Sequence, residues 1–114
     1  MSFFIESANS ERNHCVFEDD GETGYLYLYE PEGDGVVDDL HVYTRPFGQD
    51  IAETDVNVIW SKDQKKCGVT IWGNLFGFID IESGNKMVSK LLDFSPAQPI
   101  SNSEITQEFD IDSR

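Results

Sequence analysis

Phe17-Glu18-Asp19-Asp20-Gly21-Glu22-Thr23-Gly24-Tyr25-Leu26-Tyr27-Leu28-Tyr29 is the stretch whose reading decides the fold. Its second half alternates strictly, with tyrosines at 25, 27 and 29 and leucines at 26 and 28. Successive side chains of an extended chain point to opposite faces, so the tyrosines form one row and the leucines another, and such rows fit a pleated surface. The first half reads as a turn, in which Gly21 and Gly24 supply backbone freedom between two strands while the acids face water.

Working outward, the same period of two recurs. Leu40 and Val42 alternate with His41 and Tyr43 in the run from Val36; Val56, Val58 and Trp60 alternate with Asn57 and Ile59; strand-like runs follow at Cys67–Trp72, Leu75–Ile81 and Lys86–Leu91. No window of a dozen residues carries a helical stripe. Short turn signals separate the runs: Pro31-Glu32-Gly33-Asp34-Gly35, Ser61-Lys62-Asp63-Gln64-Lys65, Gly73-Asn74 and Ser83-Gly84-Asn85. His14–Glu18 adds a seventh strand, Phe3-Phe4-Ile5 reads as an edge strand or a cover, and Arg45–Thr54 has room for a short helical turn. The expected architecture is a mainly β domain over residues 1–94. It is built as a single antiparallel sheet of about six to seven strands, strongly twisted or curled into a half-barrel. Residues 95–114 read as a flexible, disordered acidic tail, broken by Pro96 and Pro99. Ile105 and Phe109, four apart, offer the alternative of a short binding helix.

The 114-residue chain holds 22 acidic and 8 basic side chains, a formal charge of −14. Residues 1–40 carry eleven acids against Arg12 alone, net −10, whereas 61–91 carry five lysines against three acids, net +2. A surface this negative disfavours nucleic acid and anionic lipid and favours cationic partners. No run approaches the roughly 20 apolar residues of a membrane span. Without a basic leader before Glu6 the expected location is cytoplasmic, and Cys15 and Cys67 are accordingly read as reduced, buried thiols.

Acids flanking a glycine turn can ligate calcium, but Glu18–Gly24 lacks EF-hand spacing, and no phosphate loop, nucleophile elbow or zinc spacing occurs. Neither a catalytic residue, a metal nor a cofactor is assigned. Three tyrosines on one strand face are more commonly a wall of the core, shared with Tyr43, Trp60 and Trp72; an exposed recognition surface is the alternative. Two consecutive acids on a strand, Asp38-Asp39, point to opposite faces, so one of them needs a partner.

The runs Phe17–Tyr27, Asp38-Asp39-Leu40-His41-Val42-Tyr43, Ile59-Trp60-Ser61 and Gly77-Phe78-Ile79-Asp80 resemble a small bacterial family of unknown function, over roughly residues 15–94. The resemblance implies a bacterial, cytosolic, single-domain protein and supplies no catalytic residue. The functional expectation is a non-catalytic acidic binding module for a cationic protein, regulatory or acting as bacterial immunity proteins do. Its partner-binding residues are Glu18, Asp19, Asp20, Glu22, Tyr25, Tyr27, Asp38 and Asp39. A homodimer is a further expectation. The alternative is a small metal-dependent hydrolase or calcium-binding protein using the acidic turn with Asp38, Asp39 and His41.

Overall fold

The computed structural model describes residues 2–30, 35–44, 51–89 and 99–110. Among the described residues eight strands form two sheets rather than one. Strands β1 (Phe3–Ala8), β2 (His14–Asp19), β3 (Thr23–Tyr29) and β4 (Val36–Thr44) make an antiparallel meander in that order. Strands β5 (Val56–Trp60), β6 (Lys66–Ile71), β7 (Asn74–Asp80) and β8 (Lys86–Val88) make a second. The mainly β reading holds; the single curled sheet does not, and among the described residues neither sheet closes into a barrel. Alternation tells which residues share a face but not which strands pair. Two sheets of short strands bury their apolar inner faces most completely by stacking as two layers.

The inner faces supply one core. Cys15, Phe17, Leu26, Leu28, Leu40 and Val42 from the first sheet meet Val56, Val58, Cys67, Val69, Ile71, Phe76 and Ile79 from the second. The leucines between the tyrosines therefore point inward. At the centre Cys15 of β2 and Cys67 of β6 form a disulfide, with Cα atoms 6.6 Å apart and neither residue exposed. The expected free thiols are thus corrected: stacking opposes two positions 52 residues apart within the span a disulfide needs, a juxtaposition that adjacency in sequence cannot reveal.

A second, smaller core lies on the far side of the second sheet. Helix α1 (Ser103–Glu108) and Phe109 cover Leu75 and Phe78, with Ile59, Ile100 and Ile105 packed around them. A Cβ on Gly68 would come within 3.0 Å of the Phe109 ring, so that glycine lets the ring lie against β6. Asn102 caps α1 by accepting from Glu104 N at 2.9 Å, Ile100 N donates to Leu75 O at 2.8 Å, and Glu108 O accepts from Lys62 N at 2.7 Å. Over 99–110 the expected disordered tail is therefore an ordered cover. Ile105 and Phe109 do form one apolar side of a short helix, and the surface it binds is the chain's own. Residues 95–98 and 111–114 lie outside the described residues.

Two local readings shift slightly. The hairpin between β6 and β7 turns on Trp72-Gly73, with φ of 54° and 80°, one residue earlier than Gly73-Asn74; positive φ at both central positions is the geometry that suits a two-residue hairpin. A 3-10 turn at Glu53–Asp55 fills part of the Arg45–Thr54 connection; residues 45–50 lie outside the described residues, as do 31–34 of the first turn cluster and 90–91 of the last expected strand.

Candidate functional site

The outer face of the first sheet carries most of the residues singled out by sequence. Register sets them in rows. Phe4 pairs with Glu18, Glu18 with Tyr25, and Tyr25 with His41; in the next row Glu6 pairs with Val16, Val16 with Tyr27, and Tyr27 with Asp39. The rings interact along and across these rows. Tyr25 and Tyr27 stack at a centroid distance of 5.7 Å with planes 16° apart, and Tyr25 and His41 stack at 4.8 Å and 30°. None of Tyr25, Tyr27 and Tyr29 belongs to either core, and Phe4 is 67% exposed. The tyrosine row is thus outward, and Tyr43, grouped with it by sequence, is inward and buried, while Trp60 and Trp72 pack against the main core.

Electrostatics on this face are negative. Glu18 has no cationic partner among the described residues, and Glu6 meets only His14, whose Nδ1 lies 2.9 Å from Glu6 Oε1. Partial burial holds the Tyr27 phenol above its ordinary range, and the carboxylates of Glu18, Asp39 and Asp20 add to the effect because a phenolate among them would be repelled. Three lysines are engaged elsewhere: Lys62 with Asp110, Lys65 with Glu82, and Lys66 with Asp80 and Glu108.

The remaining expected site residues separate by environment. Asp19 is fully buried; the Tyr43 hydroxyl donates to its Oδ2 at 2.5 Å and Gly21 N donates to its Oδ1 at 2.7 Å. Gly24 makes this possible, since a Cβ there would lie 2.5 Å from the Tyr43 ring and 2.8 Å from that of Phe17. Asp20 accepts from Thr23 N at 2.7 Å and Glu22 N at 2.9 Å, and these bonds hold its carboxyl below the usual carboxylate range. The acids at 19 and 20 therefore fasten their own turn, and Glu22 is exposed at its tip. Asp38 and Asp39 diverge as expected of neighbours on a strand: Asp39 stands on the outer face, and Asp38 is half-buried and paired with Lys86 of β8 at 2.9 Å. Lys86 also donates to Asp39 O at 2.9 Å, tying the edge of one sheet to the other.

Within the described residues no group of three or more His, Cys, Asp or Glu side chains converges so as to hold a metal ion. Sequence reasoning passed over Phe4, Glu6 and His41 as members of the face. Only strand register places His41 beside Tyr25, and the signal in sequence was its alternation with Leu40 and Val42.

A family of uncharacterised proteins conserved in bacteria (DUF2251) matches residues 1–110. The chain belongs to this family. For DUF2251 the match takes in β1, the whole of both sheets and α1, well beyond the 15–94 over which the sequence resemblance was drawn. No curated protein and no solved structure matches the chain. Among the described residues no helix is long and apolar enough to cross a membrane.

Proposed function

We propose that the chain is a non-catalytic binding module whose outer β1–β4 face docks a cationic protein, with Glu18, Tyr25, Tyr27 and Asp39 at its centre and Phe4, Glu6 and His41 around them. One observation carries the reading: an aromatic row outside both cores stands beside Glu18, which no cation among the described residues neutralises. Tyrosine supplies contact area at low entropic cost, and complementary charge accelerates encounter and rejects wrong partners. The formal charge of −14 opposes nucleic acid and anionic membranes, and it opposes self-association through this like-charged face. Inhibition of a basic enzyme, in the manner of an immunity protein, is the kind of task such a face suits.

Affinity capture from the source bacterium with the wild-type chain and an E18Q/D39N variant, at low and at physiological ionic strength, tests the proposal. The expected result is one basic protein retained by wild type, weakened by salt and by E18Q/D39N, and unaffected by E104Q on the opposite side of the molecule. Retention indifferent to the face variant would overturn it. Compartment follows from one bond: alkylation during lysis that finds Cys15 and Cys67 free would fit a reducing cytoplasm, and protection of both would fit an oxidising one.

A further inference from the structure

We propose that the cationic group received by this face is a guanidinium, so that the partner lays arginine rather than lysine on the Tyr25–Tyr27–His41 wall; the inference rests on the docking reading above. Each phenol has a carboxylate opposite it on a flanking strand, Glu18 on β2 beside Tyr25 and Asp39 on β4 beside Tyr27. Each pairing therefore sets a flat ring beside an acceptor; among the described residues Tyr25 is stacked with both Tyr27 and His41, and Tyr27 with Tyr25. Directly opposed residues in an antiparallel pair have Cβ atoms about 5 Å apart, a reach that suits a planar group resting on the ring and turning its N–H edge to the carboxylate.

Arginine meets both requirements at once. Its guanidinium is planar, stacks on aromatic faces, sheds water more readily than an ammonium and presents a fork of donors to a carboxylate. Lysine offers a compact, strongly hydrated point charge, which gains little from exposed carboxylates in high dielectric. The near-parallel setting of Tyr25 and Tyr27, 16° apart, keeps the ring faces in a common orientation. Tyr25 and Tyr27 are also two residues apart on β3, roughly 6.8 Å along the strand, and their carboxylates lie on opposite flanks. The pattern matches an extended partner segment with arginines at alternate positions.

Calorimetric titration of the intact chain with two nine-residue peptides, one alternating Arg and Ser and the other Lys and Ser, at low ionic strength tests the inference. The arginine peptide is expected to bind about five- to tenfold more tightly. Y27L is expected to erase that preference while leaving the lysine peptide's affinity unchanged, and Y25L to reduce it. Equal affinities for the wild-type chain would overturn the guanidinium inference and leave the docking reading standing. So would a preference that survives in both Y27L and Y25L. Failure of both peptides to bind would overturn the docking reading and this inference together.

Discussion

The two sheets are alike on the inside and opposite on the outside. The first sheet turns a row of tyrosines and carboxylates to solvent, and the second turns Gly68, Leu75 and Phe78 outward under a cover made by residues 99–110. Both began as four-stranded antiparallel meanders; the side chains on the outer positions decide the difference. Bulk at Leu75 and Phe78 with a small Gly68 between neighbouring strands makes an apolar trough that a short helix fills. Phenols flanked by acids can remain half-wet, because their hydroxyls hydrogen-bond water. Among the described residues no element covers the first sheet's aromatic outer face as residues 99–110 cover the second's, and that contrast is why the proposed partner is placed there.

Measurements can break or sharpen this contrast. The largest effect is expected where the sheets are joined. Reduction of the Cys15–Cys67 bond, or C15S/C67S, releases a closure spanning 52 residues and should cost about 4 kcal/mol in the chain-entropy account, read as a lowered urea midpoint. Next come the outer faces themselves. F109A removes a 5%-exposed ring from the second sheet's cover and should cost about 3–4 kcal/mol, whereas Y25A on the open face should cost under about 1 kcal/mol. Equal costs for the two would mean that the first sheet's face is an ordinary structural surface.

Alkaline titration separates the faces more finely. Tyr27 titrates in the folded chain above its ordinary 10.0 because of burial first and neighbouring carboxylates second, and Lys66 above its ordinary 10.5 chiefly through its hydrogen bond from Nζ to Glu108. Both groups hold their protons more tightly folded than unfolded, so their stabilisation is complete below those ordinary values and is lost as pH rises through the folded ones. Urea midpoints should fall above about pH 10, less steeply in Y27F. An unchanged slope in Y27F would remove Tyr27 from the acidic environment assigned to it. The smallest effect is expected at the edge between the sheets: K86M breaks the partly exposed pair with Asp38 and should cost about 0.5 kcal/mol, detectable in a double-mutant cycle with D38N.

Particular residues show how far sequence reasoning reached. The alternation of 25–29 correctly separated tyrosines from leucines, and the adjacency of Asp38 and Asp39 correctly required an inward acid with a partner. Sequence could not say which row faced the core, since Tyr and Leu both fill interiors and the choice depends on what is stacked against the sheet. The acidic turn looked like a binding loop because composition weighs Asp19 and Asp20 equally. Gly24 and Tyr43, brought together by pairing of β3 with β4, draw Asp19 into the core and leave Asp20 to bond the turn's own N–H groups.

By itself the sequence determined local periodicity, the places where the chain turns, and a negative charge concentrated in its first forty residues, because these depend only on neighbours along the chain. The tertiary structure alone decided that the strands form two layers, that Cys15 meets Cys67, that residues 99–110 cover one outer face, and that the tyrosine row on the other lies outside both cores of the described residues. Each of those outcomes is a competition among distant apolar surfaces for burial, and no local pattern records which surface wins.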